Sequence, residues 1–144
     1  MEVNPRLHNL PKAGGLYDIF QKALKMEAEG KKVVHMEIGK PDFVSPQAAI
    51  EAAKVALDDG FVHYTEMSGI PPLRKAIAGK ENRFNGIDID SETEILITAG
   101  ACEALTVILL TYFKEDDELI VPSPYFSAYK DICAIAGVKL IEVP

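Results

Sequence analysis

Short apolar runs alternate with longer amphipathic segments along the chain, most regularly in its second half. Four runs rich in Ile, Leu and Val predict strands, at 33–38, 94–98, 119–121 and 138–143. The last three are separated by segments with apolar residues at helical spacing, one over 101–113 and one ending near Ala136. This alternation of strands and helices, at this spacing, predicts parallel strands joined by right-handed crossovers.

The first half of the chain predicts mainly helices. Apolar residues at helical spacing indicate helices over 17–29, 46–59 and 72–84. Ser45 followed by Pro46 is a strong start signal, with Ser as the N-cap and Pro as the first helical residue. The first 15 residues carry two prolines and a Gly-Gly pair, and they predict an arm.

Candidate chemistry lies where two of the predicted strands end. Gly100-Ala101-Cys102 follows one strand and opens a helix, whose first backbone N–H groups and positive dipole end suit a phosphate. The loop 122–126, PSPYF, follows the next strand and offers two aromatic rings. Ligands of open parallel sheets bind at this edge. The pair suggests a flat, phosphorylated cofactor, although small residues at such corners are also common without any ligand.

Composition and other motifs narrow the class of protein. The dinucleotide fingerprint and the Walker pattern are both absent. The net charge of −7 and the lack of a basic patch argue against a nucleic-acid partner. No apolar run approaches the ~20 residues that span a bilayer, and the N-terminus lacks a signal core, which predicts a cytoplasmic protein without a membrane association. Two distant cysteines and three scattered histidines predict neither a disulfide framework nor a metal site.

Four motifs in this order together resemble the N-terminal part of the class I/II aminotransferases. They are IGKPDF (38–43), HYTEMSGIPPLRKAI (63–77), ITAGACEAL (97–105) and VPSPYFSAYKDI (121–132). This family comprises fold-type I enzymes that depend on pyridoxal 5'-phosphate and are similar to aspartate aminotransferase. The resemblance implies an α/β fold: an N-terminal arm and helices, followed by the first part of a mostly parallel three-layer α/β/α sheet. It further implies an arm and small-domain segment at 1–45 and the incomplete, truncated large domain at 46–144.

The resemblance also implies a role for particular residues. Gly39 matches the glycine whose backbone N–H meets the substrate carboxylate, and Tyr64 matches a tyrosine that reaches the cofactor phosphate of the neighbouring subunit. Gly100, Ala101 and Cys102 match the phosphate-binding turn. The family often has a hydroxyl or a lysine where Cys102 stands, so its backbone N–H is expected to make the contact. Phe126 matches the aromatic that stacks on the pyridine ring, with Tyr125 as the alternative if the register slips by one.

The function implied is transfer of an amino group between an amino acid and a 2-oxo acid by a homodimer. The lysine that holds the cofactor as a Schiff base would lie beyond position 144, so no catalytic residue is assigned here. The chain is therefore expected to be an N-terminal fragment, inactive alone. Two alternatives stay open. One is other fold-type I chemistry, such as a C–S lyase or an aminocyclopropane-carboxylate synthase, and the other is a non-catalytic module that binds a ligand or a partner.

Overall fold

A computed structural model describes residues 4, 5, 8, 10 and 15–144, so the predicted arm lies largely outside the described residues. The described elements are α1 (Leu16–Ala28), α2 (Gln47–Asp58), α3 (Pro71–Asn85), α4 (Ala101–Tyr112), β1 (Glu118–Pro122), α5 (Ala128–Ala136) and β2 (Lys139–Val143). All five predicted helices are confirmed. Their ends differ from prediction by a residue or two, because capping rather than apolar periodicity decides where a helix stops.

β1 and β2 form a parallel pair that is joined through α5. The register places Glu118 opposite Lys139 and Pro122 opposite Val143. The Ser123 N–H donates to the Val143 carbonyl oxygen at 2.7 Å and extends the pairing past the end of β1. Because parallel strands need a long crossover, α5 is the element that makes this pairing possible.

The core of this βαβ unit lies between α4, α5 and the two strands. Five side chains are buried together: Leu109, Ile132, Cys133, Ala136 and Val138. Partly buried apolar residues surround them, among them Leu105 from α4 and Leu119 from β1. These contacts fix the start of α4 and the end of β1 relative to each other, and both positions matter for the candidate site.

Two of the four predicted strands are wrong. Residues 33–38 and 94–98 carry no strand pairing within the described part of the chain, and residues 37, 38 and 94 lie in bends. Ile97 instead makes a single loop contact, in which its N–H donates to the Ser68 carbonyl at 3.0 Å. A β-rich sequence predicts an extended backbone, but a strand also requires a hydrogen-bonded neighbour.

The start predicted for α2 is displaced by one residue. Pro46 is the N-cap, with φ −52° and ψ 137°, and no side chain caps the helix. The Pro46 carbonyl accepts hydrogen bonds from the N–H groups of Ala49 at 2.9 Å and Ile50 at 3.2 Å. The helix therefore begins at Gln47, and the predicted capping role of Ser45 is wrong.

The chain divides into two compact units. One comprises Met1–Lys40 and Gly100–Pro144, and the other comprises Pro41–Ala99. The first holds the strands with α1, α4 and α5, and the second holds α2 and α3. The predicted division of the enzyme into an arm and small-domain segment at 1–45 and a large domain from 46 stays a prediction.

Candidate functional site

Gly100 is the N-cap of α4 and has a backbone conformation that favours glycine. Its φ is 91° and its ψ is 175°. A Cβ built on Gly100 would meet no atom within 4 Å. Conformation rather than space is therefore what requires glycine at the predicted phosphate turn.

The N-terminus of α4 presents its backbone to solvent. Gly100, Ala101 and Cys102 are exposed. The first helical bond runs from the Ala104 N–H to the Gly100 carbonyl at 3.3 Å, so the N–H groups of Ala101 and Cys102 have no acceptor within the helix. The dipole of a 12-residue helix adds positive potential at this end. Glu103 brings a carboxylate to the same turn, so attraction for an anion has to come from the backbone.

Cys102 is available as a backbone donor. Its thiol is exposed, and its carbonyl accepts a hydrogen bond from the Thr106 hydroxyl at 2.8 Å within the helix. That bond fixes the first turn of α4 without using the Cys102 N–H. The geometry is thus compatible with the predicted role of its N–H.

Three aromatic rings cluster after β1. Tyr125 and Tyr129 stack with centroids 6.2 Å apart and planes 2° apart. Phe126 meets Tyr129 edge-on, with centroids 6.1 Å apart and planes 87° apart. The ring of Phe126 remains 58% exposed, so it can offer a face to a ligand.

Tyr125 is anchored to β2 rather than directed at a ligand. Its hydroxyl donates to Glu142 Oε1 at 2.6 Å, and this bond raises the pKa of Tyr125 above its usual value. One face of its ring is covered by Tyr129. Phe126 is therefore the better placed of the two predicted stacking residues.

An apolar cleft of about 260 Å³ is bordered by α4, β1 and α5, and Tyr129 is the one ring of the aromatic cluster that lines it. Leu105, one helical turn beyond Cys102, lines this cleft together with Pro122 and Tyr129. Tyr129 and Glu142 were not predicted as parts of this region. Helical spacing could not have indicated the stacked pair, because Tyr125 lies before α5 begins and Tyr129 lies within it.

Gly39 and Tyr64 lie in different compact units. Gly39 is exposed and sits in a tight turn, in which the Lys40 N–H donates to the Ile38 carbonyl at 2.9 Å. Tyr64 is fully exposed in a loop between α2 and α3. Their predicted contacts with substrate and with a neighbouring subunit stay predictions.

Other types of site find little support in the described residues. No group of three or more His, Cys, Asp or Glu side chains there could hold a metal ion. Over the same part of the chain, the helices are too short or too polar for a bilayer crossing. The described groups that suit an anionic ligand are the N–H groups at the N-terminus of α4, and the same compact unit carries the exposed Phe126.

Comparisons with known proteins give the family. Residues 31–144 match the family model for aminotransferase class I and II. The chain is 42% identical over 112 residues to aromatic-amino-acid aminotransferase 2 of Thermococcus litoralis, covering 78% of this chain and 29% of the relative. It is 39% identical over 135 residues to an aspartate aminotransferase of Pyrococcus horikoshii, covering 94% of this chain and 33% of the relative.

A solved structure agrees. The aspartate aminotransferase from Rhizobium meliloti matches with a TM-score of 0.90 and 31% identity, over 99% of this chain and 35% of that chain. This match confirms the predicted α/β fold class. The chain spans about a third of the length of the relatives it matches, in their N-terminal portion. With four-fifths of its residues inside the family match, the chain belongs to the class I and II aminotransferases.

Proposed function

We propose that this chain forms the cofactor-phosphate part of an aminotransferase that moves an amino group between an amino acid and a 2-oxo acid. The single observation that carries the proposal is the solvent-exposed N-terminus of α4, where the N–H groups of Ala101 and Cys102 have no acceptor within the helix, in a chain of this family. Its glycine conformation, its exposed N–H groups and its helix dipole are what a phosphate ester requires.

The residues present fit pyridoxal 5'-phosphate. The N–H groups of Ala101 and Cys102, next to Gly100, would bind the phosphate, and the exposed ring of Phe126 would stack on the pyridine. When bound, the cofactor supplies an electron sink for the bond that breaks at the substrate α-carbon.

Gly39 would bind the substrate. Its exposed position in a tight turn leaves its backbone free of side-chain obstruction, since a Cβ there would meet nothing within 4 Å. We propose that its N–H donates to the substrate carboxylate and orients the α-carbon. We assign no lysine of this chain to covalent attachment of the cofactor, and the predicted inactivity of these residues alone stays a prediction.

We further propose that the native protein is a homodimer in which Tyr64 serves the neighbouring subunit. The fully exposed ring of Tyr64 supports this, because a residue that acts across an interface must leave its own subunit's core. Light scattering should give twice the polypeptide mass. A monomer that binds the cofactor as tightly as the dimer would contradict this role of Tyr64. The predicted cytoplasmic location stays a prediction.

An amino-transfer assay tests the function. The native polypeptide, with whatever sequence adjoins these residues, is supplied with pyridoxal phosphate, a panel of amino acids and 2-oxoglutarate. We expect glutamate to form from at least one donor and Phe126→Ala to lower kcat/KM about 10-fold or more, because ring stacking orients the cofactor. Phe84→Ala, which removes an exposed ring on α3, is the matched control and should have little effect.

Two results would contradict the proposal. Failure to form glutamate from any donor would overturn amino transfer. Release of ammonia or a thiol without a 2-oxo acid acceptor would point instead to the lyase chemistry that the sequence left open.

A further inference from the structure

Arg74 is a buried charge in the first turn of α3. Its side chain is 3% exposed, and it is the one buried polar or charged residue in the described part of the chain. A guanidinium removed from water destabilises the fold unless its N–H groups are hydrogen-bonded. The partners of Arg74 therefore show what this charge is for.

Those partners belong to two loops. Arg74 Nη1 donates to the carbonyl oxygens of Ser91 at 2.6 Å and Glu92 at 3.2 Å. Nε donates to the Gly69 carbonyl at 3.0 Å, and Nη2 donates to Glu66 Oε2 at 2.9 Å. Glu92 Oε2 lies farther from Nη2, at 3.7 Å. The guanidinium thus bonds both ends of the turn 66–69, which is closed by the Gly69 N–H donating to the Glu66 carbonyl at 3.0 Å.

The same turn is packed on its other side. Gly69 has a φ of 100°, and a Cβ there would lie 2.2 Å from Ile97 Cγ1. The Ile97 N–H donates to the Ser68 carbonyl at 3.0 Å. The turn 66–69 therefore has a fixed conformation, while Tyr64, two residues before it, is fully exposed.

We infer that Arg74, through Glu66, is a positioning residue that holds the loop carrying Tyr64 in the form that presents its hydroxyl to a cofactor phosphate. This inference rests on the proposed function. The hydrogen bonds to the carbonyl oxygens of Gly69, Ser91 and Glu92 hold the guanidinium in place. The Glu66 carboxylate, which is 57% exposed, is the side-chain partner of Arg74 nearest to Tyr64 along the chain. A charge-assisted bond to a buried guanidinium is stronger than a neutral one, so it restricts the loop more.

Two variants separate positioning from general stability. Glu66→Gln removes the carboxylate on the Tyr64 side, and Glu92→Gln removes the one on the other loop. Both carboxylates are exposed to a similar degree, at 57% and 60%, and both face the same Nη2. Made in the native polypeptide, they form a matched pair that leaves Arg74 and its carbonyl bonds in place.

The readout is the dissociation constant for pyridoxal phosphate, measured by absorbance titration. We expect Glu66→Gln to weaken binding about threefold to tenfold and Glu92→Gln to change it less than about twofold. Combined with Tyr64→Phe, the Glu66→Gln effect should largely vanish, because the loop would then have no hydroxyl to present. Equal effects of the two variants, or an undiminished Glu66→Gln effect on the Tyr64→Phe background, would overturn the inference.

Hydrogen exchange supplies a readout that needs no cofactor. Amides of the peptide 61–70 should exchange faster in Glu66→Gln than in Glu92→Gln, while peptides of α2 stay unchanged. Equal exchange in both variants would also overturn the inference. If the unchanged protein fails to bind pyridoxal phosphate, the proposed function fails, and the exchange comparison still shows whether Arg74 and Glu66 hold this loop.

Discussion

At the scale of single residues, Gly100 links sequence to function most directly. Its φ of 91° turns the chain into α4, where the N–H groups of Ala101 and Cys102 have no acceptor within the helix. Nearby space is unrestricted, so only the backbone conformation opposes a larger residue. Glycine at position 100 is therefore needed for the backbone conformation of the turn, and that conformation is what a bound ligand would meet.

We expect substitution by alanine to have opposite effects on stability at two glycines, Gly100 and Gly79. Gly100→Ala should destabilise the protein by about 1–2 kcal/mol, because L residues are strained at this φ. Gly79→Ala, inside α3 with no obstruction and no left-handed φ, should stabilise it by about 0.5–1 kcal/mol. Urea unfolding of each variant measures the difference. Equal shifts for the two would show that the conformation of Gly100 is unimportant.

Some residues of the candidate site follow from the sequence and others do not. Gly100 and Phe126 stand in local motifs, so their positions could be predicted from neighbours along the chain. The bond from Tyr125 to Glu142 joins residues 17 apart, and only the pairing of β1 with β2 brings them together. A prediction from sequence therefore kept Tyr125 as an alternative stacking residue, whereas the structure shows its hydroxyl engaged elsewhere.

At the scale of elements, helices were predictable because their signals are local. Apolar periodicity and stop residues lie within each helix, and all five helices formed near their predicted bounds. Strand signals at 33–38 and 94–98 were equally local, but pairing is not. Neither segment pairs with a strand in the described part of the chain.

Segment 33–38 is instead attached by an ion cluster centred on His35. Nδ1 of His35 lies 2.6 Å from Glu37 Oε1, and Nε2 lies 3.1 Å from Glu27 Oε1 on α1. The ring also meets Phe20 edge-on, with centroids 6.1 Å apart. The hydrogen bond to Glu37, followed by that to Glu27, raises the pKa of His35 above 6.5, while the bond from His35 lowers the pKa of Glu37 below 4.5.

Stability should therefore depend on pH in a defined direction. The contribution of His35 is fully present below its unfolded pKa of 6.5 and is lost as pH rises through the raised value. The contribution of Glu37 is present above 4.5 and is lost as pH falls through its lowered pKa. Both contributions are fully present between pH 4.5 and pH 6.5. We expect the melting temperature to fall as the pH rises above 6.5, and to fall less in His35→Gln.

Two control variants test this prediction. Glu37→Gln should also flatten the dependence, because it removes the stronger partner of His35. His63→Gln should leave it unchanged, since His63 is an exposed loop residue with no acidic partner in the described structure. A pH dependence that is the same in His35→Gln as in the unchanged protein would show that the cluster contributes nothing.

At the scale of the whole molecule, family membership is firm, and the activity of the complete protein is a proposal. The chain matches about a third of the length of its relatives. Within that third, one compact unit carries the N-terminus of α4 and the exposed Phe126, and the other carries Tyr64. The sequence could predict the class of fold and the family, because its four motifs occur together in one family. It could not predict which segments pair, since pairing depends on residues far apart along the chain.

The central claim is that the N-terminus of α4 binds the phosphate of a pyridoxal cofactor. The most direct measurement compares pyridoxal phosphate with pyridoxal, which lacks the phosphate, by titration of the native polypeptide. We predict saturable binding of one pyridoxal phosphate per chain with a preference over pyridoxal of about 100-fold or more. Two charge-assisted hydrogen bonds at about 1.5–3 kcal/mol each account for this preference. Gly100→Ala should reduce it. Equal binding of both compounds, or no saturable binding, would contradict the claim.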